Sequence, residues 1–315
     1  MLSLLGLDPE TYHAHPLHAP GRNYPETNCY TDIIVELVHA RGLEPIAALG
    51  TAIRTDFEGD QWTFLKPDPA DLESLHAIDI HEMQPYRPLP EQIAEQIESG
   101  RTLIVELDSF YLPDTESTAY RTEHVKSSAI MEAIDPEGER LRYFHNGGYY
   151  ELSGEDYRRV LRIEPQPEGT LPPYVELARF DAGVPLSGDE LRAGARSSFE
   201  RHLERVPRTN PFERYGKSLV RALPDLLAGS HEDFHAYAFA TVRMAGSSFE
   251  VAASYLDWLF GDRAASAREA CLRIVSGSKT LSLRLARRRD FDPQPILEDL
   301  AVAWDNATTE LTTLI

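Results

Sequence analysis

Cysteine is scarce in this chain, with two in 315 residues, Cys29 and Cys271. Two distant thiols build neither a disulfide framework nor a cysteine zinc cluster. Long apolar runs are also missing. No stretch approaches the roughly 20 residues of a membrane-spanning helix. His13, His15, Pro16, His18 and Pro20 break up the start, where a signal peptide would need an unbroken apolar segment. Basic side chains are in deficit, 31 Lys and Arg against 51 Asp and Glu, a formal net charge of −20. Residues 1–164 carry 30 acids and 13 bases, and residues 165–315 carry 21 and 18. Nucleic-acid binding needs clustered Lys and Arg, so a face-wide nucleic-acid footprint is not expected. No internal repeat or low-complexity tract is present. These absences point to a protein of a reducing cytoplasm, with no membrane and no nucleic-acid partner.

What is present divides into two textures. Up to about residue 162, short strand-like runs alternate with short helical ones. Strands are expected at Ile46–Leu49, Trp62–Leu65, Ile78–Glu82, Arg101–Leu107, His124–Ile134, Arg140–His145 and Gly148–Leu152. Helices are expected at Tyr30–Arg41, Ala70–His76, Pro90–Glu98 and Gly154–Leu161. One helix precedes most of the strands, which indicates α+β rather than a doubly wound sheet. Glu164 to Pro173 then holds four prolines and reads as an extended connector. From Ser187 onward the chain reads as all helix. Ser187 with Glu190, Asn210 with Pro211 and Glu213, and Ser247-Ser248 with Glu250 look like helix starts. Gly229, Gly246 and Gly261 look like stops. The expected organisation is an α+β domain over 1–164, a linker over 165–186 and an all-α domain over 187–315.

Cys29 is the residue that most suggests chemistry. It precedes Ile33, Ile34, Leu37 and Val38, whose spacing is helical, so a helix opens at or beside the thiol. Thr27 or Asn28 can cap it and Gly42 can end it. The positive end of the helix dipole favours a thiolate there. A nucleophile needs a base and a group to orient that base. His124 opens a strand-like run downstream. An antiparallel hairpin through Asp135-Pro136-Glu137-Gly138 brings Asn146 toward His124, whereas Asp135 falls at the far end. Asn146 is therefore preferred over Asp135 as orienter. Asn23, six residues before the cysteine, can donate to an oxyanion. Asp108 and Tyr111 follow a central strand and are candidates for the rim of a cleft.

The order of cysteine on a helix, histidine on a strand and Asn or Asp after the next strand resembles the papain-like superfamily. Residues 22–162 resemble the N-terminal domain of the butirosin-biosynthesis acyltransferase family. The matching pieces are Asn28-Cys29-Tyr30, Val105-Glu106-Leu107-Asp108-Ser109-Phe110-Tyr111-Leu112-Pro113, the His124 strand ending in Ile134-Asp135, and Tyr149-Tyr150-Glu151-Leu152-Ser153. Related domains often carry Asn-Asp or Asp-Pro after the second strand, where this chain has His145-Asn146-Gly147. The whole chain resembles an uncharacterised bacterial family that joins such a domain to a helical half. The resemblance implies acyl transfer from a carrier-protein thioester to an amine, with Cys29 carrying the acyl group and His124 as base. It implies no bound cofactor, the donor arm being the phosphopantetheine of a partner acyl or aminoacyl carrier protein. A papain-like peptidase or amidase and a non-catalytic binding protein that kept the fold are the alternatives. Carrier proteins present an acidic helix, so Arg192, Arg196, Arg201, Arg205 and Arg208 are a candidate docking stripe; pairing with Glu190, Glu200 and Glu204 would make them a solvated face instead.

His231-Glu232-Asp233-Phe234-His235 fits the His-Glu-x-x-His pattern of zinc peptidases. Gly229-Ser230 puts it in the first turn of a helix, and Ser230 with Asp233 explains the polar start as a cap. No metal site is expected. His13, His15 and His18 read as a solvated strap, and Cys271 as a core residue.

Overall fold

The computed structural model describes residues 1–164 and 171–315. The proline connector therefore lies in part, at 165–170, outside the described residues. The chain divides into two compact units that interleave in sequence. The first comprises Met1–Ala19, Cys29–Pro45 and Pro69–Leu186; the second comprises Pro20–Asn28, Ile46–Asp68 and Ser187–Ile315. Beyond the expected boundary at 165–186, this division also groups residues 20–28 and 46–68 with the helices, through the aromatic packing described below.

The first unit is α+β with a seven-stranded antiparallel sheet. Its strands are β1 (Leu2–Ser3), β2 (Asp79–Glu82), β3 (Thr102–Asp108), β4 (Lys126–Asp135), β5 (Arg140–His145), β6 (Gly148–Ser153) and β7 (Val175–Arg179). They run β2-β7-β3-β4-β5-β6, with β1 beside β4. β7 falls inside the segment expected to be linker; Val175, Leu177 and Ala178 are apolar and buried, and the strand fills the place between β2 and β3. Alternation sends Leu103, Val105, Leu107, Ala129, Met131, Leu141 and Tyr143 to one face. There they pack against Ile93 and Ile97 of α3 (Leu89–Glu98) and Tyr157 and Val160 of α4 (Glu155–Val160).

The other face carries α1 (Cys29–Ala40), which lies over β4 and β5. Gly42, at φ +73°, ends it as expected. Ile33 and Leu37 are fully buried, yet so are Asp32 and Glu36. Glu36 accepts from the His15 backbone N–H at 3.0 Å and from the Tyr12 hydroxyl, and it pairs with His18. His18 also reaches Asp32 at 3.4 Å. The expected solvated strap is thus corrected: His13 is exposed, but His15 and the His18 ring are buried, because Asp32 and Glu36 need partners. Burial pulls the His18 pKa down, but the hydrogen bonds and charges of Asp32 and Glu36 outweigh it and raise it to about 9. A bulge in β4 between Met131 and Ala133 lets Glu132 accept from Ser3 Oγ and the Leu5 N–H, each at 2.7 Å.

The second unit is helical: α5 (Gly188–Leu203), α6 (Pro211–Ala228), α7 (His231–Ala238), α8 (Met244–Phe260), α9 (Ala265–Ala286) and α10 (Gln294–Leu311). Asn210 caps α6, accepting from the Phe212 N–H at 2.9 Å. The Ser187 side chain makes no capping bond. A π-helical turn, Phe239–Arg243, runs α7 into α8, so Gly246 and Ser247-Ser248 lie inside a helix rather than at a stop and a start. Gly246 is required there by packing: a Cβ would come within 2.3 Å of the Tyr24 hydroxyl. The expected strands at 46–49 and 62–65 are also corrected. Pro45–Ala48 is a 3-10 turn, and Trp62 forms only an isolated bridge with Phe57. Both aromatics are buried among the helices. The Trp62 ring sits 4.6 Å from that of Phe212, and Phe57 sits 5.4 Å from Tyr215. Burying large aromatic rings stabilises by a few kcal/mol each, which outweighs any gain from pairing an isolated edge strand.

Two outcomes follow from this packing. A fragment of residues 187–315 lacks Tyr24, Phe57 and Trp62, so it should lose cooperative thermal unfolding by circular dichroism; a fragment melting as sharply as the full chain would refute the interleaving. His18 is more basic folded than unfolded, so its contribution is fully present below about pH 6.5 and is lost as pH rises through about 9. It amounts to at most about 3 kcal/mol. The melting temperature should therefore fall between pH 7 and 9.5, and His18→Gln should be less stable at pH 7 and flatter across that range.

Candidate functional site

Cys29 is the first residue of α1 and is half-buried. Its Sγ lies 3.9 Å from Ser128 Oγ on β4. The β3–β4 register pairs Glu106 with Ser128 and Asp108 with Lys126. Residues directly opposite share a face, and alternate residues along a strand share it too. Glu106, Asp108, Lys126 and Ser128 therefore lie on the face that carries α1. The Ser109 N–H bonds to the Val125 carbonyl at 2.9 Å, so β4 runs on extended toward His124 and its alternation puts His124 on that face as well.

His124 is held by its neighbours rather than by the thiol. Its Nδ1 lies 2.6 Å from Asp108 Oδ2, while Asp108 Oδ1 accepts from the Phe110 N–H at 3.1 Å. The imidazole stacks on Phe110 at 4.3 Å and 10°, and Tyr111 meets it edge-on at 6.2 Å. The His124 side chain is 66% exposed, and Nε2 makes no hydrogen bond among the described residues. This is the geometry of an oriented base: a carboxylate fixes the tautomer and leaves the far nitrogen as acceptor. The group hydrogen-bonded to the His124 ring is Asp108, where the sequence suggests Asn146. The β4–β5 register aligns His145 with Ala129, so Asn146 reaches only the level of Ser128, and it takes φ 47° in the tight turn before β6. Among the described residues no hydrogen bond joins Cys29 to His124. His124 lies two residues before β4 begins at Lys126, four positions from Ser128.

An arrangement with no signal in the sequence lies on the opposite face. His145 Nε2 is 2.6 Å from Ser127 Oγ, and its Nδ1 is 2.5 Å from Asp114 Oδ2. Tyr143 donates to Asp114 Oδ1 at 2.5 Å. Burial, then the Asp114 charge, pushes the Tyr143 pKa far above the ordinary phenol value. The order Ser-His-Asp is that of a hydrolase triad, but Ser127 is 8% exposed and His145 1%. The buried polar groups satisfy one another, and that holds the turn Pro113–Thr115 to the sheet. Asp114 comes from a turn after a proline, so no periodic pattern could have paired it with His145.

The remaining expected residues are dispersed. Asn23 belongs to the second unit, where its backbone N–H donates to Glu250 Oε1 at 3.0 Å. The five arginines are exposed but do not form one stripe. α5 ends at Leu203, before Arg205 and Arg208, and the five-residue step from Arg196 to Arg201 turns about 140° around the helix. Arg192 lies over the Trp258 ring at 4.7 Å and Arg196 over Phe260 at 5.6 Å. Ser230 and Asp233 form the capping box of α7, with His231 and His235 on either side of Asp233. Among the described residues no group of three or more His, Cys, Asp and Glu side chains is placed to hold a metal ion, and no helix is long and apolar enough to cross a membrane.

Fold and site define a class: an α+β unit with a thiol at a helix start above an antiparallel sheet, coupled in sequence to a helical unit. The DUF1839 N-terminal domain matches residues 13–180, and the DUF1839 C-terminal domain matches residues 188–313. The chain belongs to the DUF1839 family. Neither match ties it to the butirosin-biosynthesis acyltransferases. No curated protein matches the chain.

The two thiols should differ sharply in reactivity. Cys271 is buried in α9 and burial pushes its pKa up to about 12. Limited iodoacetamide at pH 8, read by peptide mass spectrometry, should modify Cys29 and leave Cys271 unlabelled until the protein unfolds. Equal labelling in the native state would mean that α9 does not protect Cys271 as described.

Proposed function

We propose that the chain is a cysteine-dependent acyltransferase with a papain-like first unit. It would move an acyl or aminoacyl group from the phosphopantetheine thioester of a carrier protein to a small amine. One observation supports this reading above the others. A half-exposed thiol at the positive end of α1 shares a sheet face with a carboxylate-oriented imidazole whose far nitrogen is open.

In the first half-reaction the Cys29 thiolate attacks the donor carbonyl, a new thioester forms on Sγ, and the carrier's pantetheine sulfur leaves as a thiolate that takes its proton from solvent. The Cys29 backbone N–H, outside the intrahelical ladder, is the oxyanion donor in this reading. In the second half an amine attacks the Cys29 thioester. It gives its proton to His124 Nε2, Asp108 stabilises the imidazolium, and Cys29 leaves as thiolate. Water in place of the amine would give a hydrolase from the same acyl-enzyme. A specific observation favours a non-catalytic binding protein as the second reading: the side chain against the sulfur is the Ser128 hydroxyl, not an imidazole.

Intact-mass measurement after incubation with a panel of acyl-carrier thioesters tests these readings together. The expected result is one acyl adduct, absent in Cys29→Ala and discharged by an amine. His124→Ala and Asp108→Asn should slow discharge by about 100-fold or more, leaving acyl-enzyme to accumulate. Rapid discharge without an amine would identify the hydrolase. No adduct from any thioester, with an intact fold, would leave the binding protein.

A further inference from the structure

We propose that the second unit holds a binding site for a small aryl anion, a carboxylate or phosphate on a flat apolar body. The site is a cavity of about 530 Å³ bounded by the Asn23–Glu26 segment, α7, the π-helical turn and α9. That volume lies within the range of small-ligand sites. Three features of its wall converge on this ligand class.

The first is positive charge held in place in excess of its acidic partner. Lys279 Nζ sits 4.7 Å from the centroid of the Tyr24 ring and makes no ion pair among the described residues. Arg243 lies 5.0 Å over the Phe239 ring; it reaches the Glu26 carbonyl at 3.2 Å and the Glu26 carboxylate only at 3.8 Å. Ring faces help fix both cations by cation–π attraction, and two cations against the single carboxylate of Glu26 leave a net positive charge on the wall. In a chain of net charge −20, a concave surface bearing two cations and one loosely paired acid is an inversion of the local sign. Low-dielectric walls focus such a field toward an incoming anion.

The second is the apolar surface. Tyr24, Phe234 and Phe239 line the same cavity, and Phe239 is 46% exposed. An exposed aromatic beside a guanidinium offers a flat ligand both a stacking face and an ionic anchor. The third is the backbone. The π-helical turn Phe239–Arg243 supplies Phe239 and Arg243 together, and such turns cost regular helix hydrogen bonding and recur at functional sites. The site does not depend on any chemistry at Cys29.

Isothermal titration calorimetry on the full chain carrying Cys29→Ala tests the site with phenyl phosphate, benzoate, inorganic phosphate and neutral benzyl alcohol. The expected result is saturable one-to-one binding of phenyl phosphate or benzoate, weaker binding of inorganic phosphate, and none of benzyl alcohol. The tighter of the two aryl probes names the head group. Lys279→Met and Arg243→Gln should each weaken that probe at least about tenfold, while Lys279→Arg, which keeps the charge, should retain binding. Circular dichroism of each variant separates lost binding from lost fold. The site is refuted if benzyl alcohol binds as well as the anions. It is refuted equally if both charge-removing variants bind like the parent, or if no aryl anion saturates by about 10 mM, far above the range of specific ligands.

Discussion

The pleat of β4 is the constraint on which the first unit depends. Ser127 and Ser128 are adjacent in sequence and must point to opposite faces of the sheet. Ser128 meets the thiol at the start of α1, while Ser127 closes the buried relay through His145 to Asp114. One strand therefore supplies both the floor beneath Cys29 and the anchor for the turn after β3. A one-residue slip in register would exchange the two faces and undo both. The bulge at Glu132 shows how the chain handles the end of that strand. It resets the alternation so that Ile134 rejoins the apolar core, and it hands a buried carboxylate to Ser3, the Leu5 N–H and Tyr149.

The two faces of the sheet differ in chemistry. The α3–α4 face is an apolar core with one polar relay at its margin. The α1 face buries Asp32, Glu36 and Glu132, and it balances them with His18 and with tyrosine hydroxyls. Burying carboxylates is costly unless each is hydrogen-bonded, so the first 18 residues fold under α1 as the partners of its acids. The charged side of α1 therefore fixes the helix laterally, and with it the position of Cys29.

Much of the fold was legible in the sequence. The α1 pattern, the β3, β4, β5 and β6 runs and most of the C-terminal helix boundaries follow from periodicity, caps and glycine stops, because those are local effects. The errors fall where a local pattern was ambiguous. Ile46–Leu49 and Trp62–Leu65 are short apolar runs, and short runs do not distinguish a strand from a buried turn. Phe57 and Trp62 were drawn among the helices by aromatic burial. Gly246 and Ser247-Ser248 mimic a stop and a start, but the Tyr24 hydroxyl explains the glycine and the helix continues.

Of the candidate site, the sequence by itself determined Cys29 at a helix start and His124 just ahead of a strand, two residues before β4 begins, because caps and periodicity are read within a few residues. It also determined the α+β order and the helical half. Tertiary structure alone decided which groups meet. It gave His124 to Asp108 rather than Asn146, because cross-strand register is a long-range property. It set Ser128 against the sulfur and built the Ser127–His145–Asp114 relay from three separate elements. It assigned residues 20–28 and 46–68 to the helical unit, because only a packed core reveals which distant aromatics fill it.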